Sequence, residues 1–333
     1  MRKKIFFLCG VFALLVCAFI IALGLGRFDI AYSDMFALVN EYFNSVSKSI
    51  DSIIFVEERL KRIIAALCVG GALALSGGLY QGIIGNPLVS PSILGVLNGA
   101  SFGAALGMVL GLSILGIEGL CFIFGIIAMG VSIALAYAFD KRMSILMLIL
   151  GGMISAALFG ALVSCLKLLA DPYNTLPNIV FWLMGSLAFT QDAPLALLCV
   201  IFVLSAIVSV LLSSYIDVLN LDEESAQSLG IHIKYMRLFF VLVATLLASA
   251  SVAVGGLIGW VGLVVPHIAR FVMGANHRLM LPFCVIFGAF FLLVCDSIAR
   301  SSFNVEIPLG IVSAVIGIPI FAALLIKRAK SVS

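Results

Sequence analysis

Charge is scarce in this chain. Only 11% of its 333 residues are Asp, Glu, Lys or Arg, while 63% are hydrophobic. A soluble domain needs a polar surface, and a mean hydropathy of +1.28 cannot supply one. No basic tract suits nucleic acid, which removes that class of partner. There is no G-x-x-x-x-G-K-[ST], nor any Gly-Lys pair, so the chain hydrolyses no nucleotide through a P-loop. H-E-x-x-H is absent, and no catalytic residue is assigned. C-x-x-C is absent too, and all eight cysteines lie inside apolar runs, where free Cys behaves as a small hydrophobe. A lone histidine such as His267 rarely binds metal without partners, so neither a metal site nor a cofactor is expected.

What the chain has instead is long apolar runs. A hydrocarbon core of about 30 Å takes about 20 apolar residues as a helix. Such runs cover roughly 5–26, 60–80, 93–112, 118–138, 145–169, 193–213, 236–254, 279–299 and 307–326. They do not alternate, which excludes barrel strands. The first run, Ile5 to Gly26, exceeds the usual signal-peptide core of about 7–15 residues and is read as an uncleaved span.

The segment 256–273, "GLIGWVGLVVPHIARFVM", is apolar but short. Parity decides it. Arg2, Lys3 and Lys4 at one end and Lys327, Arg328 and Lys330 at the other place both termini in the cytoplasm. Two inner ends need an even number of crossings, so 256–273 is expected to cross as a tenth helix. The remaining cytoplasmic basic residues are then Lys141, Arg142, Lys234, Arg237, Arg270 and Arg278. Residues 1–333 read as a single all-α transmembrane domain in the inner membrane, with 170–191 folding back as a short outer helix.

Two features break this uniformity. "QGIIGNPLVSP", residues 81–91, places Asn86-Pro87 and Pro91 where no continuous helix is possible. Irregular backbone at membrane depth must be buried in protein or line a water-filled path, so a pore or gate competes here with an ordinary loop. Then "LDEESAQSLGIHIKYMR", residues 221–237, concentrates Asp222, Glu223 and Glu224 on the cytoplasmic side. Within the spans, Asp296 and Arg300 stand four apart and can pair on one helix face. An ion-coupled secondary transporter would want more midplane carboxylates than this. A pore with no energy source of its own needs a partner.

Several blocks together resemble the FecCD/BtuC family, the permease subunits of type II ABC importers for iron-siderophores, haem, vitamin B12 and related chelates. They are "RLKRIIAALCVGGALALSGGLYQGIIGNPLVSPSILGVLNGASFG" (59–103), "EESAQSLGI" (223–231), "GGLIGWVGLVVPHIARFVMGANHRLMLP" (255–282), "DSIARS" (296–301) and "EIPLGIVSAVIGIPIFAALL" (306–325). The resemblance implies a BtuC-like fold of ten transmembrane helices. It implies a pore made by two permease copies, or by one copy with a paralogue. Two cytoplasmic ABC ATPase subunits and an extracytoplasmic substrate-binding protein would complete the importer. An iron(III)-siderophore or similar metal chelate is the expected cargo, with haem, cobalamin and molybdate as alternatives. Residues 214–235 correspond to the ATPase-coupling segment, with Glu223, Glu224, Ala226, Leu229 and Gly230 at its centre. Asn86 and Leu88 align with the cytoplasmic gate, whose other wall lies near Ser144, Ile145 and Leu146. Arg59 and Arg300 align with arginines that dock the binding protein. Lys61 stands where many relatives have proline, which implies a less bent start to the second span.

Overall fold

Backbone in lipid must satisfy its own hydrogen bonds, and an α-helix does so within one segment. In the computed structural model, which describes residues 2–26, 28–141, 144–188, 190–219, 232–301 and 305–330, each apolar run has become helical. The helices are α1 (Arg2–Gly24), α2 (Met35–Asn44), α3 (Ile50–Ile84), α4 (Val96–Val109), α5 (Ile114–Phe139), α6 (Ile145–Leu169) and α7 (Thr175–Leu183). They continue as α8 (Asp192–Leu211), α9 (Ser213–Val218), α10 (Ile233–Gly255), α11 (Val261–Met273), α12 (His277–Ser301) and α13 (Leu309–Lys330). Among the described residues no strand occurs.

Eight of these are long and apolar enough to cross a membrane: α1, α3, α5, α6, α8, α10, α12 and α13. Two shorter apolar helices, α4 and α11, stand where crossings were expected over 93–112 and 256–273. At 14 and 13 residues, each covers only about 20 Å of the bilayer. The rest of each path is irregular backbone. Expected outer helix 170–191 is α7, with Pro177 tolerated in its first turn. The second span begins earlier than 60, because α3 runs unbroken from Ile50 through a π-helical stretch, Ile54–Leu60.

Helix α3 lies at the centre, packed by α10, α11 and α12. Its sequence explains why. Lipid offers no hydrophobic drive between helices, so close approach depends on small residues. A Cβ at Gly77 would overlap the backbone carbonyl of Gly262 at the start of α11, and one at Gly70 would overlap that of Gly288 on α12. Hydroxyls close the remaining gaps: Ser76 Oγ donates to Ala244 O on α10 at 2.7 Å, and Tyr80 bonds Thr245 at 2.7 Å.

The backbone before α4 re-enters the bundle. After Gly85, left-handed at φ 66°, residues 86–95 leave the inner end and turn back into the protein. Ser132 Oγ of α5 donates to Leu94 O at 2.9 Å. Ser132 stands seven residues before the end of α5, about 10 Å into the bundle. The complementary break precedes α11, where residues 256–260 run non-helically from the end of α10 to a point beside Gly77. Both short helices thus begin inside the protein.

The two termini share one end. Lys4 Nζ donates to Met273 O, the last carbonyl of α11, at 2.6 Å, and Lys327 Nζ lies 5.3 Å from the Phe271 ring. A cation at a helix C-terminus complements its dipole. The basic residues make this the cytoplasmic end.

Candidate functional site

At the outer end, three arginines and two carboxylates converge from distant parts of the chain. Asp296 is fully buried on α12 and accepts from Arg62 Nε at 2.8 Å, with Arg62 Nη2 at 2.7 Å. The same guanidinium grips Glu306 with Nη1 at 3.1 Å and Nη2 at 2.8 Å. Ser186 Oγ, in the α7–α8 connection, donates to Glu306 Oε1 at 3.0 Å. Planar two-point contact of this kind is strong and directional. Arg300 Nε stands 3.6 Å from Asp296 Oδ2, so the expected pair on α12 forms, yet Arg62 is the closer partner.

Arg59 and Arg300 are buried at this end, 5% and 9% exposed. Arg59 donates to Leu23 O and Phe28 O at 2.8 and 2.5 Å, while Arg300 donates to Ala22 O at 2.7 Å. Both therefore tie the open end of α1 to the core. Their cleft, about 290 Å³, is lined also by Phe28, Glu58, Arg62 and Glu306. Lys61, where a proline was missed, pairs with Asp192 at the start of α8 at 2.7 Å.

At the inner end, Asn86 Oδ1 accepts from Leu88 N–H at 2.9 Å, an Asx turn that sets the N-P-L corner. Asn86 and Leu88 share an apolar cavity of about 440 Å³ with Val89, Ile93 and, from α6, Ile149 and Met153. Ile145 and Leu146 stand one turn closer to the inner end, 39% and 61% exposed. Ile149 and Met153 continue the face of Ile145 at helical spacing. Ile93 also lines a second cavity of about 630 Å³, with Ser90, Met184, Trp260, Gly310 and Val315. Among the described residues no charged one lines either space.

Glu223, Glu224, Ala226, Leu229 and Gly230 lie outside the described residues. Their upstream neighbour is held firmly. Asp217 Oδ1 accepts from His277 Nδ1 at 2.5 Å and from the His277 backbone N–H at 3.4 Å, capping α12 from α9. The imidazole in turn sits so close to Gly82 of α3 that a Cβ there would overlap Nε2.

Sequence reasoning passed over Arg62, Glu306 and the Asp217–His277 pair. One signal was available: a buried Asp296 demands more than a helix neighbour, and Arg62 and Glu306 both lie in the quoted blocks. It also passed over Gly99-Ala-Ser-Phe-Gly103, which has G-x-S-x-G spacing. Ser101 sits inside α4, 3% exposed, with Oγ donating to Leu97 O at 2.8 Å. A nucleophile elbow requires an exposed strand-to-helix turn, so this serine is structural. His267 packs edge-on to Phe321 at 5.0 Å. Among the described residues no group of three His, Cys, Asp or Glu side chains could hold a metal.

Comparison with known proteins gives consistent matches along the chain. The model of the FecCD transport family matches residues 14–327. The molybdate import system permease protein MolB of Haemophilus influenzae is 39% identical over 323 residues, 96% of this chain and 95% of that one. A Helicobacter pylori protein named "Probable iron chelatin transport system permease protein" is 35% identical over 288 residues, covering 86% and 87%. A solved inward-facing transporter assigned to the metal-chelate ABC type superposes with a TM-score of 0.84 at 40% identity, covering 96% of this chain and 99% of that one.

Proposed function

The chain belongs to the FecCD transport family, and from that premise we propose that it carries a metal-bearing anion, a ferric chelate or a molybdate-type oxyanion, into the cytoplasm. It is a multi-pass permease subunit of an ABC importer, in the inner membrane. The observation that supports the path is the pair of adjoining uncharged cavities meeting at Ile93. The larger lies between the two segments of broken helix and the smaller against the first of them, where irregular backbone is tolerated only beside protein or a water-filled route. Neutral walls let a charged solute pass without being held, and leave selection to the binding protein.

In this reading two copies of the chain face each other, and Asn86, Leu88, Ile145 and Leu146 close the inner mouth. Residues 214–235, with Glu223, Glu224, Ala226, Leu229 and Gly230, dock two ATPase subunits. Arg59 and Arg300 border the outer cleft, which Glu58, Arg62 and Glu306 also line, and acidic groups of a binding protein would meet the two arginines there. Reversal by Arg59→Glu should slow binding-protein association far more than Arg59→Gln, since opposite charges chiefly raise encounter rate.

Molybdate is favoured as cargo by the 39%-identical relative that spans 96% of this chain; the ferric chelate is favoured by the metal-chelate type of the structural neighbour. Uptake of radiolabelled molybdate and ferric chelate by cells with and without the chain separates them. Uptake that survives loss of the cognate ATPase but collapses with the proton gradient would refute the importer reading.

A further inference from the structure

A third cavity, about 280 Å³, lies under α7 at the outer end and shares only Ser186 with the arginine–carboxylate cluster above. Its walls come from the first turns of α5, the last turns of α4 and α10, and α7 itself. Ile117, Val254 and Trp182 make it largely apolar, and Asn178 and Ser186 add polar groups. One charge enters. Glu118, in the second turn of α5, is only 6% exposed and lines the space. Among the described residues nothing bonds its Oε2. At the rim, Ile114 and Phe181 are 48% and 39% exposed, so the space opens on the perimeter of the chain near the outer surface.

An uncompensated carboxylate in an apolar wall is costly, and intramembrane acids of this kind mark bound cations or protons. The donor set excludes a metal, because hard cations take about six or more oxygens, and one carboxylate, one amide and the Ser186 hydroxyl, already committed to Glu306, fall far short. Anions are repelled by Glu118. An aromatic face beside a single carboxylate suits an organic ammonium, which combines charge with apolar surface. At the lower edge of ligand-pocket sizes, about 300 Å³, the space accepts a head group rather than a large molecule.

We propose that this cavity beneath α7 binds the ammonium head of a small organic cation, supplied either by an aminolipid of the outer leaflet or by a free amine. Glu118 supplies the counter-charge, Trp182 the aromatic wall and Asn178 an amide acceptor.

The chain has two tryptophans, so Trp260→Phe leaves Trp182 as sole reporter. The full-length chain is placed in nanodiscs of phosphatidylglycerol alone and titrated with methylammonium chloride, against sodium chloride at equal ionic strength. The expected result is a saturable change in Trp182 emission with methylammonium only. Its midpoint should weaken at least tenfold in Glu118→Gln and survive in Glu118→Asp. Adding phosphatidylethanolamine distinguishes the sources. If the lipid head is the ligand, emission starts in the bound form and the amine titration flattens. If free amines are the ligand, both disc types titrate alike. Asn178→Leu offers a second variant, expected to weaken the midpoint several-fold should Glu118→Gln fail to fold. No response to either amine source, or an unchanged midpoint in the folded variants, would overturn the site and leave Glu118 a protonated acid.

Discussion

Replacing Arg62 by Gln removes the group that holds both outer carboxylates. Asp296 is fully buried and would keep only Arg300, at 3.6 Å, in place of contacts at 2.7 and 2.8 Å. Breaking a buried pair by deleting one partner costs about 3–5 kcal/mol, because the other charge stays behind uncompensated. The remaining Arg300 puts the expected loss near the lower end, about 3 kcal/mol. Glu306 is 22% exposed and retains Ser186, so Glu306→Gln should cost about 1 kcal/mol. Asp296→Asn falls between, since Arg62 keeps Glu306. Combined with Arg62→Gln it should restore part of the loss, with a coupling of at least about 1 kcal/mol. Stepwise heating of the chain in nanodiscs, followed by fluorescence-detected size exclusion, ranks the four proteins. Additive losses, or Glu306→Gln as damaging as Arg62→Gln, would refute the view that Arg62 holds Asp296 in place.

Gly77→Val should abolish folded expression, since its side chain meets the Gly262 backbone, whereas Gly78→Ala, facing only flexible side chains of Leu281, Cys284 and Met280, should express near normal levels. Cys68 and Cys199 stand 3.5 Å apart on α3 and α8, so copper phenanthroline should join them, and maleimide-PEG should then count one thiol fewer than in Cys68→Ser treated alike; equal counts would refute that register. Leu229→Asp should leave the chain inserted and able to receive its binding protein while abolishing transport-stimulated ATP hydrolysis in the reconstituted importer; wild-type uptake at normal expression would make 214–235 an ordinary loop.

The helical architecture was legible because lipid leaves the backbone little choice, and apolar runs therefore translate almost directly into helices. Ends were harder. The run 93–112 became Val96–Val109, because the preceding backbone folds into tight turns over 91–95, where Ser132 takes the Leu94 carbonyl and Gly95 is left-handed. The same holds for 256–273, which opens on the unwound residues before Val261. Asp296 with Arg300 was visible since helical spacing reports neighbours four apart. Arg62 reaches Asp296 and Glu306 across 234 and 244 positions, and no periodicity carries that information. For the same reason Asp217 and His277, 60 positions apart, looked like unrelated flanks.

Helix α12 joins the two ends of the molecule in a way that has a mechanical side. Its first turn is clamped by Asp217, three positions before residue 220, and its last turns carry Asp296 and Arg300. Pro282 lies between, one turn past the clamp, and removes a backbone donor where the helix is then easiest to bend. From Pro282 to Arg300 the shaft is about 27 Å long. A pivot of about 6° at the proline swings its outer tip by about 3 Å, roughly one hydrogen-bond length. A rotation that small, applied at the Asp217 clamp, would be enough to draw Asp296 off Arg62, which makes the shaft a lever whose short arm is held by Asp217 and whose long arm reaches the opposite surface.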